Sequence, residues 1–354
     1  MQREIFSLID ILAEYHSLTI DDYRYLIANR NVEVAKYIKH KARDITNKIY
    51  GKKIFVRGLI EITNYCKNNC LYCGIRCGNS ACERYRLTLD QILQCCEDGY
   101  NLGLRTFVLQ GGEDPYFTDD LLCELIHKIK SKYRDCAVTL SLGEKPKESY
   151  KKLCEAGADR YLLRHETANE EHYGKLHPKN MSFANRMQAL CDLKDLGYQT
   201  GCGFMVNSPY QTESNLAEDL KFIEFFQPDM CGIGPFIPHQ YTPFREFSAG
   251  SVDLTCYLLS IVRLICPQVL LPATTALGTL DAVGRERAIR SGANVLMPNL
   301  SPMNVRAKYT LYDNKLCTGD ESAQEIKLLK EKIALLGYEV VIDRGDVKNI
   351  YAYA

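Results

Sequence analysis

A complete (β/α)8 barrel of the TIM type, preceded by a helical extension, is the fold this sequence predicts. Three observations carry the prediction. Short β-rich runs alternate with longer helical patterns, the runs number eight, and no repeat, low-complexity tract or long linker divides the chain after residue 50.

The extension comes first. Ile5, Leu8, Ile9 and Leu12, then Tyr25, Leu26, Val34 and Ile38, recur at helical spacing, so residues 1–50 read as short helices. The strands follow at 54–62, 106–110, 137–142, 160–164, 199–206, 230–234, 269–274 and 294–297, and glycines make the fifth and sixth the least regular. Between strands, Leu121, Leu122, Leu125, Ile126 and Ile129 make one apolar stripe over 120–132, and Leu216, Leu220, Ile223 and Phe226 another over 212–226. The barrel is expected to span 51–310. Residues 311–354, with a helix near 323–336, are expected to form a C-terminal extension that closes it.

Composition excludes several classes of function. With 44 basic and 44 acidic residues there is no net field to draw nucleic acid or anionic lipid. Arg3, Glu4, Asp10 and Glu14 break the apolar run a signal peptide needs, and Arg263 and Pro267 interrupt the apolar segment 254–280, so no membrane association and a cytoplasmic location are expected. Sixteen cysteines without an export signal point to a reducing compartment, where thiols bind metal or pack. Cys123, Cys154, Cys191, Cys256 and Cys266 fall within helical patterns and read as packing residues.

A barrel of this kind gathers its chemistry at the carboxyl ends of its strands. There the sequence places Cys66-Lys-Asn-Asn-Cys70-Leu-Tyr-Cys73, Gln110-Gly-Gly-Glu-Asp-Pro115, Arg164-His-Glu166, Gly232-Ile-Gly-Pro-Phe-Ile-Pro-His239, Pro272-Ala-Thr-Thr275 and Met297-Pro-Asn299. Three thiolates on one loop can hold three irons of a cubane and leave the fourth open. A zinc site is the alternative, and it would need a fourth ligand such as Cys77 or Cys82. Arg57, inward on the first strand, needs a buried anion or partner. His165, His239 and the other histidines read as satisfied structural residues.

The C-x3-C-x-aromatic-C pattern after the first strand, with Tyr72 in the aromatic place, resembles the radical S-adenosylmethionine (SAM) superfamily. Gly111-Gly-Glu-Asp114 is similar to its second motif. Val56 to Asn64, Val108 to Tyr116, Val138 to Glu144, Asp159 to Asn169, Gly232 to His239 and Pro272 to Thr275 together resemble one branch, the HydE family of FeFe-hydrogenase maturases, over roughly residues 50–317. Biotin synthase and methylornithine synthase are related branches with similar barrels.

The resemblance implies the rest. Cys66, Cys70 and Cys73 would bind one 4Fe-4S cluster. Tyr72, Gly111, Gly112, Glu113, Ser141, Glu166 and Arg186 would meet SAM, a surface ion pair being the alternative for Glu166 and Arg186. Arg164, Thr274 and Thr275 would hold the carboxylate of an amino-acid-like or small organometallic substrate, with helix capping as the alternative for the threonines. Arg57, Gln110, Thr139, Met230, Met297 and Tyr309 would line the cavity, core packing being the commoner role for the methionines. The implied reaction is reductive SAM cleavage to a 5'-deoxyadenosyl radical that attacks a cysteine-bound iron carbonyl/cyanide complex. The implied partners are the maturases HydG and HydF and an electron donor. In one respect the chain departs from the family. A second cluster often sits on C-x7-C-x2-C after the eighth strand, whereas here Cys317 is followed at those places by Glu325 and Leu328, so no second cluster is expected.

Overall fold

The computed structural model describes residues 2–316 and 323–348. Three helices open the chain: α1 (Gln2–Tyr15), α2 (Ile20–Ala28) and α3 (Val32–Tyr50). The first expected strand is interrupted at Arg57 into β1 (Lys53–Val56) and β2 (Gly58–Thr63). Then come α4 (Leu89–Asn101), β3 (Thr106–Gly111), α5 (Asp119–Lys132), β4 (Ala137–Ser141), α6 (Lys147–Glu155), β5 (Arg160–Leu162), α7 (Glu170–Leu176) and α8 (Phe183–Asp195). The second half holds β6 (Gln199–Cys202), β7 (Met205–Val206), α9 (Glu213–Phe226), β8 (Met230–Cys231), β9 (Gly234–Pro235), α10 (Val252–Ile265), α11 (Thr275–Leu280), α12 (Gly284–Ile289), β10 (Val295–Leu296), α13 (Met303–Arg306), α14 (Ile326–Leu335) and β11 (Glu339–Val341).

The alternation produces a parallel sheet in the order β2-β3-β4-β5-β6-β8. A second parallel sheet, β10-β1-β11, continues from the split first strand. The expected ring of eight regular strands is not what is seen. The seventh run contributes isolated parallel bridges, Met230 to Leu270 and Pro272 to Val295, because Pro272 has no N–H to give a ladder. The fifth and sixth runs each break in two. Gly203, at φ +153°, lies so close to Gly232 that a Cβ on it would stand 2.0 Å from the Gly232 carbonyl oxygen, and that backbone contact displaces the strand pairing.

Strand parity sorts the side chains. Ile60 and Ile62, Phe107 and Leu109, Val138 and Leu140, and Tyr161 and Leu163 join the main apolar core under the helices. The alternate positions, among them Glu61, Gln110, Thr139, Ser141 and Arg164, therefore share the inner face. The helices are built as their patterns require, with Thr118 capping α5 and Thr212 closing a capping box on α9. The helix α10 is buried all round between α3 and α9. Its Arg263 is fully buried with Gly292 and Pro267 carbonyls as acceptors, so the charge that interrupts the apolar segment is accommodated inside. Among the described residues no helix is long and apolar enough to cross a membrane. Of the helical cysteines read as packing residues, Cys256 and Cys266 are buried, Cys123 and Cys154 are half-buried, and Cys191 is exposed, because it falls on the solvent side of α8. Cys317 lies outside the described residues.

At the amino ends of the strands, residues 343–347 fold against the sheet. Arg160 donates to Asp346 Oδ1 at 2.5 Å and to the Arg344 carbonyl at 2.8 Å, Arg344 donates to Asp159 at 2.9 Å, and Arg57 donates to the Gly345 carbonyl at 3.1 Å. Burial works to raise the Asp346 pKa, yet the Arg344 hydrogen bond and the Arg160 charge hold it well below the usual carboxylate range.

Candidate active site at the carboxyl ends of the strands

The loop after β2 is tied down on every side. Lys67 N–H donates to the Glu113 carbonyl, Leu71 N–H to Leu176, Gly74 N–H to Leu311 and Cys77 N–H to Asn68, at 2.8–3.0 Å. Arg84 spreads its guanidinium over the carbonyls of Asn64, Ile75, Arg76 and Asn79. Gly112 belongs to the second motif for a steric reason, since a Cβ there would stand 2.2 Å from the Tyr65 carbonyl oxygen and 2.7 Å from Cys66 Cβ.

Cys66, Cys70 and Cys73 are half-buried on this loop, and all are free thiols. Burial raises each pKa, that of Cys73 to about 12, and for Cys70 and Cys73 the charge of the neighbouring cysteines adds to it. Thiols that repel one another as anions fit a cationic metal group that would hold them deprotonated. Among the described residues no three His, Cys, Asp or Glu side chains close tightly enough around a point to hold a single ion. Three thiols on one loop are the donor set that would hold three irons of a cubane and leave the fourth open.

The other expected residues divide into two groups. Glu166 takes a left-handed φ of +65°, rare for a residue with a side chain, and its carboxylate lies 3.2 Å from Arg164 Nη2 without hydrogen-bond alignment. Glu166 Oε2, Arg164 Nε and Nη2, Thr139 Oγ1 and Thr274 Oγ1 are all buried and lack a hydrogen-bond partner among the described residues. Thr274 stands at the N-cap of α11 but makes no side-chain cap bond, so capping does not account for it. Arg57 Nε is also unpartnered, although Arg57 donates to Met230 Sδ at 2.8 Å and to Gly345, on the side of the sheet away from the cysteines.

The second group already has partners. Arg186 is buried, with Nε 2.5 Å from Glu144 Oε1 and Nη1 donating to the Arg164 carbonyl at 2.6 Å, so it is no surface pair. Glu113 accepts from Glu144 N–H at 2.9 Å and faces Lys67 at 3.2 Å. Tyr72 OH meets His177 Nε2 at 3.2 Å, and His177 stacks on Tyr173. Gln110 donates to Tyr309 OH at 3.4 Å. Met230 packs with Phe55, Leu270 and Val295, and Met297 lies beside them, as core methionines do. Ser141 is paired in register with Gln110, and Thr275 begins α11.

Three residues of this region, Glu61, Lys315 and Asp219, escaped sequence reasoning. Glu61, fully buried on the inner face, accepts from Lys315 at 2.6 Å and from Asn299 at 2.9 Å. Its parity with Arg57 was the available signal, whereas the long separation from Lys315 hid the partner. Asp219 lies 3.3 Å from His165 Nε2 and accepts from Ala168 N–H. His165 Nδ1 accepts from Gly203 N–H, and burial lowers its pKa to about 3, so it is a neutral structural histidine.

Similarities to known proteins agree with this geometry. A family profile described as the Radical SAM superfamily matches residues 60–223. The FeFe hydrogenase maturase subunit HydE of Thermotoga maritima is 44% identical over 310 residues, 88% of either chain. The 3-methylornithine synthase of Methanosarcina acetivorans is 28% identical over 93% of this chain and 92% of its own. The crystal structure of methylornithine synthase (PylB) superimposes with a TM-score of 0.79 at 25% identity, covering 94% of this chain and 97% of that one. HydG, a maturase of the FeFe-hydrogenase, shares the fold at a TM-score of 0.79 and 20% identity, covering 96% of this chain and 76% of that one. The loop of three cysteines, the glycine-rich turn laid against it and an identity of 44% to HydE lead to one assignment: the chain is a radical SAM enzyme and belongs to the HydE family.

Proposed function

We propose that this enzyme acts in maturation of the FeFe-hydrogenase active site, with one 4Fe-4S cluster on Cys66, Cys70 and Cys73 and no second cluster. The observation that carries the reading is the set of buried polar atoms without partners on Arg164, Glu166 and Thr274, which follow their strands, and on Thr139, on the inner face of β4. Buried polar groups without partners are costly, about 1–3 kcal/mol each, and at an active site a bound ligand supplies what is missing. With cluster and SAM bound, the site supplies a 5'-deoxyadenosyl radical by reductive cleavage of the sulfonium.

The chain's residues do the rest. Tyr72, Gly111, Gly112, Glu113, Ser141, Glu166 and Arg186 hold SAM, with Arg186 fixed by Glu144 so that its fork is already oriented. Arg164, Thr274 and Thr275 take the carboxylate of a cysteine-bound iron carbonyl/cyanide substrate, while Gln110, Thr139 and Tyr309 line its chamber and Arg57, Met230 and Met297 form its floor toward the amino ends of the strands. The bridges at Leu59, Leu270 and Pro272 are read as completing an eight-position ring around that chamber, with residues 1–50 as an outer extension and 311–354 as its closure. HydG supplies the substrate, HydF receives the product, a protein reductant provides the electron, and the setting is cytoplasmic.

The test uses anaerobically reconstituted protein with dithionite and SAM. Deoxyadenosine well above that from a Cys70→Ala variant, and a SAM-dependent change in the cluster's EPR signal, are expected. Zinc in place of iron, or cleavage equal to the variant's, would defeat the proposal.

A further inference from the structure

The cysteine loop carries a charge imbalance that ligating a metal group does not require. Residues 64–88 hold four bases, Lys67, Arg76, Arg84 and Arg86, against one acid, Glu83, in a chain balanced at 44 and 44 overall. Glu83 is matched by Lys308. Among the described residues neither Arg76 nor Arg84 has a carboxylate within ion-pair distance, their guanidinium groups meeting backbone carbonyls instead. Lys67 and Arg86 do face acids. Those side chains, Glu113 and Asp114, are only 10% and 1% exposed, whereas the two cations are 56% and 36% exposed, so solvent meets the cationic side.

On this face an aromatic stack is already assembled. The Arg86 guanidinium lies 3.9 Å from the ring centroid of Tyr65 and 4.8 Å from that of Tyr116, and both rings are exposed. Asp114 grips Arg86 through two hydrogen bonds of 2.7 and 2.9 Å, so the stack loses little freedom when a partner covers it. Tyrosine and arginine held this way are the residue types that anchor protein interfaces. Tyr65 directly precedes Cys66, so a partner seated here is one residue from the metal-binding loop.

We propose that Tyr65, Lys67, Arg86 and Tyr116 form the docking surface for a small acidic one-electron carrier protein. The inference rests on the functional reading above, which needs one electron for each SAM cleaved. The carrier is oxidised by one electron and the cluster reduced by one, with no bond made or broken. Basic charge on this side steers the acidic carrier to it, in a molecule with no net charge to do so.

The experiment compares Tyr116→Asp and Arg86→Gln with the native enzyme, using an acidic flavodoxin as probe. Calorimetry measures its Kd at low and high salt, and deoxyadenosine formation is driven either by flavodoxin hydroquinone or by dithionite, which needs no docking. We expect Tyr116→Asp to weaken Kd about tenfold, Arg86→Gln to weaken it and flatten its salt dependence, and flavodoxin-driven cleavage to fall with Kd while dithionite-driven cleavage by Tyr116→Asp is unchanged. A Phe225→Asp control on α9 should behave as the native enzyme. Unchanged Kd in both variants, or an equal fall with both reductants for Tyr116→Asp, would overturn the docking surface alone. Native enzyme that yields no deoxyadenosine with dithionite would overturn the functional reading and this proposal with it.

Discussion

The two ends of the sheet bury similar residues and treat them differently. At the amino ends, Arg160 and Arg344 are closed by Asp346, Asp159, Gln199 and backbone carbonyls, and only Arg57, without a carboxylate, keeps a buried nitrogen unpartnered among the ionic groups described there. At the carboxyl ends, Arg164, Glu166 and Thr274 keep buried atoms without partners, as does Thr139 midway along β4. A network that satisfies itself stabilises the fold, whereas one left open is preorganised for a ligand.

The sharpest way to break this contrast is to alter both ends and read stability and SAM cleavage together. Glu166→Gln should lower deoxyadenosine formation, and Arg164→Met the affinity for the substrate, each by about 100-fold with an unchanged denaturation midpoint, since neither side chain holds the fold together. Asp346→Ala should do the reverse, costing about 3 kcal/mol by leaving Arg160 buried beside no carboxylate, measured by urea unfolding. If Arg164→Met destabilised the protein as much as Asp346→Ala, the distinction between the ends would fail.

Protonation gives a smaller effect. Burial places the His165 pKa near 3, below its usual 6.5, so the folded state refuses a proton that the unfolded chain accepts between those values. Stability from this group is complete above pH 6.5 and declines on acidification toward about 3, by roughly 1.4 kcal/mol per pH unit. The unfolding free energy of His165→Gln should therefore be flatter over that window than the native protein's, and parallel slopes would show that His165 is protonated in the fold. Smallest of all, Thr139→Val removes a hydroxyl that has no hydrogen-bond partner among the described residues, and should shift unfolding by no more than about 1 kcal/mol in either direction.

Much of this was legible in the sequence because period and spacing are local. Leu121 to Ile129 and Leu216 to Phe226 announce their helices as apolar stripes, and Cys66 to Cys73 announce their loop, each within a few turns or one loop. The broken fifth and sixth strands were legible only as glycines, since the contact of Gly203 with Gly232 joins residues on different strands. Pairings across the whole chain were not legible at all. Glu61 with Lys315 and Arg160 with Asp346 join distant segments, and nothing within a short window of sequence marks either residue as half of a pair. For the same reason Arg186 could be named but its grip by Glu144 could not.

The pairing of Arg160 with Asp346 spans 186 positions, which bears on how the protein is made. A ribosome releases the arginine long before its aspartate, so this ion pair closes only after residue 346 has emerged. Removing the segment around residue 346 would therefore strip a fully buried arginine of its carboxylate partner, an effect felt inside the sheet rather than at the surface.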